Sequence, residues 1–427
     1  MPRLATEAYP ASWYASTRDA APERPALAGK IDCDTLVVGG GFAGLYTARL
    51  LAKQGRDVVL IERHRIGWGA SGRNGGFVGA GYAERSGALI DKLGLEHGRA
   101  LYELSQRGVA HVRQAIGELG RPELIMGEGK LTVSRTDQGA GFAERTRTLA
   151  AKLGASFEPW TVEQVRALIS TQRYFQAVHD PKSFQIHPLN LALALAGDLP
   201  RVFEGTEATA LDRSGDRWRV TTTGGEIAAK HVVLAGNADL GGISRKVAAA
   251  VLPVATYVAV TEKLGPRLAE AVRWHGSISD TRRAGDYYRI VEGDRLLWGG
   301  RITTDTREPR KLREMMRGDI LSVFPQFAQV KIDYAWPGIM GYALHKMPQV
   351  GEIEPGLWVC TAFGGHGLAQ TAVGALAVAA GIAGNDRDWR LFQPFGIVWA
   401  GGPFGRLGVQ ASYWNMQIRD WWDERRI

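Results

Sequence analysis

A glycine-rich turn between two apolar segments places the strongest constraint on this chain of 427 residues. Residues 34–38 have the continuous apolar pattern of a buried parallel strand, and residues 45–54 have the periodicity of a helix. A second apolar segment, 57–62, ends in Glu62. The order strand, G-x-G-x-x-G turn, helix, strand and acid predicts a dinucleotide-binding unit. The residues of its turn are Gly39, Gly41, Phe42, Ala43 and Gly44.

Each part of this unit has a physical role. Gly39 permits the tight turn, Gly41 lets the backbone approach a pyrophosphate, and Gly44 lets the helix pack closely on the strand. The helix N terminus directs free N–H groups and a positive dipole at the phosphates. Glu62, with Arg63 beside it, is positioned to accept hydrogen bonds from ribose hydroxyls. NAD and FAD both satisfy this unit, so the turn alone does not distinguish between them.

Composition restricts the class of protein. Hydrophobic residues make up 45% and charged residues 22%, as in a soluble globular enzyme of two or three domains or two interleaved ones. The net charge of +8 comes from scattered residues, which does not favour nucleic-acid or membrane binding. Cys33 and Cys360 are too few for a four-thiolate metal site; their apolar surroundings predict buried free thiols and a cytoplasmic protein. The stretch 368–384 predicts a buried helix rather than a transmembrane segment.

A second glycine-rich run follows Glu62 and distinguishes the two cofactors. Residues 65–76, RIGWGASGRNGG, resemble the FAD-dependent amine and amino-acid oxidases, the superfamily of D-amino-acid, glycine and sarcosine oxidases. In that family a run of this kind passes the pyrophosphate and the flavin ring. The resemblance therefore implies FAD as the cofactor. The implied FAD-binding residues of the run are Gly69, Ala70, Ser71, Arg73, Asn74, Gly75 and Gly76.

Further segments extend the resemblance over most of the chain. Residues 12–15 and 332–336 resemble the gamma-glutamylputrescine oxidases within the family. The apolar strand 231–238 resembles the family strand that ends near FAD, and residue 208 lies where the family presents backbone groups to adenine. The resemblance thus implies further cofactor contacts from Ala208, Ala235 and Gly236.

The family resemblance also implies the architecture. It is an α/β fold in which a Rossmann-like FAD-binding domain of the glutathione-reductase type is interleaved with an α+β substrate domain built on an antiparallel sheet. An N-terminal arm (1–30) and an aromatic-rich C-terminal segment (386–427) flank these domains; the C-terminal segment is interpreted first as surface-covering or interface packing. The predicted FAD-binding segments are 31–85, 183–250 and 345–385, and the predicted substrate segments are 86–182 and 251–344.

A glycine–histidine run opens a helix near residue 366 and is the predicted flavin end of the site. The family removes a hydride equivalent from the carbon that bears nitrogen, and a helix N terminus stabilises the negative charge that the flavin acquires. His366 adds a cation or a hydrogen bond, or only caps the helix. Lys346 assists oxygen reduction or is a surface lysine. The implied cofactor residues here are Gly364, Gly365, His366, Gly367 and Leu368.

Departures from the family pattern concern the substrate. Met340 stands where D-amino-acid and glycine oxidases place a carboxylate-binding arginine, and Ala369 stands where sarcosine oxidase places a lysine. The cysteine to which sarcosine oxidase attaches its flavin falls near Gly338, so FAD is expected to be non-covalent. These differences favour an amine whose carboxylate is distant or absent, such as gamma-glutamylputrescine. The candidate substrate-binding residues are Arg301, Tyr288, Tyr257, Arg289 and Met340, with Trp298, Trp336 and Tyr342 completing an aromatic cage.

Three alternatives stay open. An L-pipecolate or other imino- or amino-acid oxidase needs a carboxylate anchor, which Arg301 would supply unless it forms a salt bridge between the domains. An NAD-linked dehydrogenase is a different reaction class. A flavin-bound subunit of an assembly would use the aromatic C-terminal segment as its interface. The electron acceptor, oxygen or another molecule, is also open.

Overall fold

Two β-sheets organise the chain in a computed structural model that describes residues 8–283 and 285–425. The strands, in chain order, are β1 (Gly29–Val38), β2 (Val58–Ile61), β3 (Phe77–Val78), β4 (Ile125–Val133), β5 (Glu158–Trp160), β6 (Ala177–Ile186), β7 (Val202–Phe203), β8 (Ala208–Ser214), β9 (Arg217–Thr222), β10 (Gly225–Leu234), β11 (Leu252–Thr261), β12 (Ser277–Asp280), β13 (Tyr287–Val291), β14 (Arg295–Thr303), β15 (Ile332–Tyr342), β16 (Gln349–Glu354) and β17 (Leu357–Thr361). The helices are α1 (Trp13–Ser16), α2 (Phe42–Lys53), α3 (Ser86–Leu93), α4 (Leu95–Glu118), α5 (Phe142–Leu153), α6 (Val162–Leu168), α7 (Pro188–Gly197), α8 (Arg245–Ala250), α9 (Pro266–Ala271), α10 (Leu312–Val323), α11 (Gly367–Ile382), α12 (Arg387–Arg390) and α13 (Gly402–Glu424).

The first sheet carries the predicted dinucleotide unit. Its order is β16-β17-β10-β1-β2-β7, and β17, β10, β1, β2 and β7 run parallel. Helix α2 returns the chain from β1 to β2. Every residue of β2 is buried, which explains its continuous apolar sequence. The hairpins β8–β9 and β9–β10 extend this sheet with antiparallel pairs. The Rossmann-like parallel sheet is thus confirmed.

The second sheet is mostly antiparallel, as expected for the substrate domain. Its order is β15-β11-β14-β13-β12-β4-β6-β3, with β5 paired to β6, and its one parallel pair among the described residues is β4 with β12. Helix α10 packs against β11, β14 and β15. Strand β3 and residues 183–186 of β6 belong to this sheet although they lie in predicted FAD-binding segments, because they pair with each other. The domain boundaries stay a prediction.

Helix α11 is the central helix of the larger apolar core. Together with the short turn before it, it spans Gly364–Ile382, which is long and apolar enough to cross a membrane, yet 72% of it is buried inside the protein. It packs between α2 and α4. A Cβ at Gly108 of α4 would lie 2.6 Å from the carbonyl oxygen of Ala369, so the two helices approach closely. This position is that of a buried core helix.

Helix α13 packs against β11 and β14 of the second sheet. Gln410 accepts hydrogen bonds from Thr303 Oγ1 and Thr304 N at the end of β14. Its other face is exposed to solvent and carries large apolar side chains. Part of the aromatic segment therefore packs on the protein surface, and part is exposed to solvent. Elsewhere, Cys33 and Cys360 are buried free thiols, as predicted.

Candidate cofactor and substrate site

A cavity of about 690 Å³ runs from the carboxyl end of β1 to the N terminus of α11 and on between the two sheets. Its volume lies within the range of cofactor and small-molecule sites. One end is lined by the turn after β1, by the end of β2 and by the second glycine-rich run. The other end is lined by residues of β4, β12–β15 and the loop that joins β12 to β13.

The dinucleotide turn directs free backbone donors at this cavity. Gly39 has a φ of 118°, and a Cβ there would lie 2.8 Å from the carbonyl oxygen of Ala235, so only glycine fits. Gly41 begins α2 without a side-chain cap, and Phe42 N donates to Ser71 Oγ at 2.9 Å. Gly44 does not line the cavity: a Cβ there would lie 2.0 Å from the oxygen of Gly39, so this glycine serves the predicted close packing.

Glu62 is held at the end of β2 by two backbone donors. Gly40 N donates to its Oε2 at 2.7 Å, and His64 N donates to its Oε1 at 2.8 Å. Burial raises the pKa of Glu62, and the two N–H donors oppose that effect. The carboxylate lines the cavity beside Arg63 and keeps lone pairs for further donors. This is the geometry expected of an acceptor for ribose hydroxyls.

The second glycine-rich run places a cation in the cavity. The Arg73 guanidinium lies over the Trp68 ring at 4.6 Å and donates to the carbonyl oxygen of Gly69. Burial lowers the pKa of Arg73, and the residue forms no ion pair within the described part of the chain. Asn74 ties the run together through Ala70 O, Ser71 O and Gly76 N. Gly76 lies outside the cavity, because a Cβ there would meet Ile186 O at 2.5 Å.

These residues fit FAD. The free N–H groups at the start of α2 and the uncommitted Arg73 suit a pyrophosphate, and Glu62 suits a ribose. Two buried polar atoms that face this region, Trp68 Nε1 and Asn237 Oδ1, have no hydrogen-bond partner among the described residues. The other predicted cofactor residues that line the cavity are Ala43, Ala70, Gly75, Ala208, Ala235 and Gly236.

The N terminus of α11 forms the wall at the predicted flavin end. Gly364, Gly365, His366, Gly367 and Leu368 all line the cavity. His366 occupies the N-cap position but makes no capping hydrogen bond with its side chain. Burial, with a smaller contribution from Lys130, lowers the pKa of His366 to about 4. Burial therefore favours the neutral ring, which offers a hydrogen bond rather than a cation; the catalytic role of His366 stays a prediction.

Two of the predicted substrate residues line the cavity. Met340 does so from β15, and Arg301 does so from β14. The Arg301 Nε and one Nη donate to both carboxylate oxygens of Asp319, at 2.6 and 2.9 Å. Asp319 belongs to α10, which packs on the same sheet, so this salt bridge does not join the two domains. The two N–H donors on this edge of the Arg301 guanidinium are therefore already bonded to Asp319.

The other predicted substrate and catalytic residues lie outside the cavity, which contradicts the prediction that they contact the substrate. Arg289 is 1% exposed and donates to Ile186 O and Tyr14 OH. Tyr288 stacks on Trp298 at 4.6 Å inside the core, and Tyr257 is also buried. Lys346 is exposed on the surface. Of the predicted aromatic cage, only Tyr342 lines the cavity described here.

The residue next to Tyr288 lines the cavity in its place. Successive side chains of a strand point to opposite faces, so an error of one position exchanges a core residue for a site residue. Tyr287 faces the cavity, and its ring lies so close to Gly299 of β14 that a Cβ there would be 2.0 Å away. The sequence alone indicates that side chains alternate between the two faces of β13. It does not give the pairing with neighbouring strands, which decides the face that meets the cavity.

A charged group at the substrate end was also missed. Arg282 lies between two buried acids: its Nε donates to Asp280 Oδ2 at 2.9 Å and an Nη donates to Asp286. Burial raises the pKa of Asp286 to about 7. Lys130 of β4 lines the same region, and burial lowers its pKa. The sequence 280–286, DTRRAGD, has the composition of an exposed turn. It therefore gave no indication that Arg282 and its two acids are buried beside the cavity.

Comparisons with known proteins agree with this site. Residues 34–380 match the model of the DAO family, described as FAD dependent oxidoreductase. The gamma-glutamylputrescine oxidoreductase of Escherichia coli K12 is 31% identical, over 96% of this chain and 98% of the relative. Among solved structures, glycine oxidase from Bacillus cereus ATCC 14579 has a TM-score of 0.68 at 20% identity, covering 84% of this chain and 97% of that one. L-proline dehydrogenase from P. horikoshii has a TM-score of 0.70 at 19% identity, covering 86% and 96%.

The family match settles the choice of cofactor that the first turn left open. It covers both glycine-rich runs, the strands of both sheets and the start of α11. The alternative that the chain is an NAD-linked dehydrogenase is therefore excluded. The chain belongs to the DAO family of FAD-dependent oxidoreductases, which act on amines and amino acids.

Proposed function

We propose that the chain oxidises a C–N bond in an amine that carries no carboxylate on the reacting carbon, with gamma-glutamylputrescine as the model of the substrate class. The similarity to the Escherichia coli gamma-glutamylputrescine oxidoreductase over nearly the whole chain supports this choice. The product would be an imine that hydrolyses or cyclises. Oxygen and other electron acceptors are alternatives for reoxidation of the flavin. The predicted location is the cytoplasm.

One observation carries the proposal: the arginines that an α-carboxylate would need are committed elsewhere. Arg301 spends its paired donors on Asp319, and Arg289 is buried behind Gly76 with its own acceptors. Met340, which the family resemblance places at the position of the carboxylate-binding arginine, lines the cavity. An amino or imino acid whose carboxylate adjoins the reacting carbon would therefore find neither Arg301 nor Arg289 free as the two-donor partner that such groups prefer.

The chain's own residues then account for orientation and protonation. When bound, FAD supplies the acceptor for the hydride equivalent that leaves the substrate. The cavity removes the substrate amine from water, which lowers its pKa and favours the neutral form that oxidation requires. Neutral His366 and the N-terminal amides of α11 offer donors without adding a buried charge. Tyr287 and Tyr342 supply aromatic walls.

The test is anaerobic bleaching of the bound flavin by a panel of amines. Gamma-glutamylputrescine and other N-acyl diamines should reduce the flavin at least tenfold faster than L-pipecolate, L-proline, glycine or sarcosine. Bleaching by pipecolate or proline alone would replace the proposal with an imino-acid oxidoreductase. No bleaching by any compound, with full FAD content, would favour a subunit that needs a partner. Readmitted oxygen distinguishes an oxidase, which recolours within seconds, from a dehydrogenase.

We further propose that FAD is held without a covalent bond. The family attachment position falls near Gly338, and both cysteines are buried outside the cavity lining. Burial also raises the pKa of the Cys33 and Cys360 thiols to about 12, which keeps them unreactive. Acid precipitation should release the yellow colour into the supernatant. Colour that stays with the pellet would show a covalent link.

A further inference from the structure

Helix α13 has two faces of opposite character. Its inner face is fixed to the protein: besides Gln410, Asp420 accepts hydrogen bonds from the backbone and guanidinium of Arg283, and Glu424 accepts two from Arg135. These contacts lie in the first half of the helix and at its C-terminal end. The helix is therefore held along its length, and its outer face is presented as a rigid surface.

The outer face carries an apolar stripe. Phe404 is 84% exposed, Leu407 62%, Trp414 55%, Ile418 64% and Trp421 51%. Exposed Ala411 completes the series. The spacing 404, 407, 411, 414, 418, 421 alternates steps of three and four residues, which is the a/d pattern of a coiled-coil seam. We call these six residues the α13 stripe.

The stripe is too large to be an incidental surface feature. Each aromatic side chain has roughly 150–250 Å² of surface, so the exposed parts of the stripe amount to several hundred Å². The largest apolar patch of an ordinary monomer is about 300–600 Å² and is often functional. A standard protein interface buries about 800 Å² on each partner. The stripe together with its rim approaches that area.

We propose that the α13 stripe pairs antiparallel with the α13 stripe of a second copy of this chain. In the antiparallel register, Phe404 faces Trp421 of the second copy, Leu407 faces Ile418, and Ala411 faces Trp414. Every layer is then apolar, and the smallest side chain meets one of the largest. A two-fold interface requires a patch that complements itself in this way.

The residues beside the stripe favour a second copy over a membrane surface. The flanking positions on the outer face hold Gly408, Asn415 and Gln417, all uncharged; Arg425 lies over the Trp421 ring at one end of the stripe, so the two arginines of an antiparallel pair lie at opposite ends. No like charges therefore oppose one another across the two-fold axis, and amides provide hydrogen bonds at the rim. A helix that lies on anionic lipid instead carries lysine and arginine along the edges of its apolar face. The proposal concerns an assembly of identical chains, which is independent of the substrate.

A cross-linking experiment on the FAD-loaded protein tests the register. The double variant L407C/I418C should be joined between copies by a short bismaleimide, because each cysteine faces the other residue of the partner copy. Within one helix these positions are roughly 16 Å apart, beyond the linker. The single variants L407C and I418C should stay unlinked. A dimer from either single variant would indicate a parallel seam and overturn the antiparallel pairing. The native cysteines are buried.

The mass in solution tests the occupant. Light scattering should give about 93 kDa, twice the 46.5 kDa of the chain. Ile418→Glu should weaken the dimer at least 100-fold, whereas Leu95→Glu, a control that is 50% exposed elsewhere, should not. Unchanged FAD content and melting temperature would show that both variants fold. A monomeric mass for the wild-type protein would overturn the proposal. If that monomer co-floats with vesicles of anionic lipid in a density gradient, the stripe binds a membrane instead.

Discussion

At the scale of the residue, Glu62 both shapes the glycine-rich turn and offers an acceptor to the cofactor. Its carboxylate receives N–H groups from Gly40 and His64. Glu62→Ala removes a charged hydrogen bond to the ribose worth about 1.5–3 kcal/mol, so the dissociation constant for FAD should rise roughly 10- to 150-fold. Fluorescence titration of the apoprotein measures it. Glu226→Ala, on the surface, is the control; equal FAD affinity in both variants would place the ribose acceptor elsewhere.

His366 gives a prediction about pH. Its pKa is about 4 in the folded protein against 6.5 ordinarily, so between these values the unfolded chain binds a proton that the folded chain does not. The free energy of unfolding should therefore fall as the pH drops from 6.5 towards 4. In His366→Gln this fall should be smaller by about 1–3 kcal/mol. Denaturant titrations at pH 7 and 4.5 test it, with exposed His275→Gln as control; parallel curves for wild type and His366→Gln would contradict it.

At the scale of the element, α13 braces the substrate end of the cavity. Glu424 pairs with Arg135, which is buried and also lies 3.9 Å from Asp280. Glu424→Gln removes the nearer of the two acids from Arg135, leaves only the 3.9 Å contact with Asp280, and should lower stability by about 2–3 kcal/mol. KM for the amine should rise, because Asp280 and Arg282 line the cavity, while FAD affinity stays unchanged. Thermal unfolding and steady-state kinetics measure these effects. Exposed Glu270→Gln is the control, and an unaltered melting temperature in Glu424→Gln would refute the bracing.

The same scale explains which elements the sequence could predict. The strand, turn and helix around Gly39 are local: an apolar run, a fixed glycine spacing and a 3.6-residue period follow one another within thirty residues. The faces of β13 are not local. Whether Tyr287 or Tyr288 meets the cavity depends on pairing with β14, where Tyr288 stands opposite Trp298. The choice of Tyr288 as a substrate residue therefore took the wrong face of this strand.

At the scale of the whole molecule, the fold was predictable and the substrate end was not. Both glycine-rich runs are predicted to contact the cofactor through their backbone, and such contacts depend on residue type and spacing, which the sequence shows directly. Arg301 shows the opposite case: its position at a strand end suggested a free anchor, yet Asp319, 18 residues later, occupies its donors. Such pairing arises only when α10 folds back on the sheet. Charged side chains near a cavity thus reveal their role only in three dimensions.

The most direct test of the account uses two substrates that differ by one carboxylate. N-acetylputrescine and Nδ-acetylornithine have the same amine and acyl chain, but only the second carries a carboxylate on the carbon to be oxidised. Stopped-flow absorbance under nitrogen gives the rate at which each reduces the bound flavin. Because Arg301 and Arg289 already donate to groups of the protein and Met340 replaces the family arginine, the account predicts that N-acetylputrescine reacts at least tenfold faster. Equal rates, or faster reduction by Nδ-acetylornithine, would contradict it.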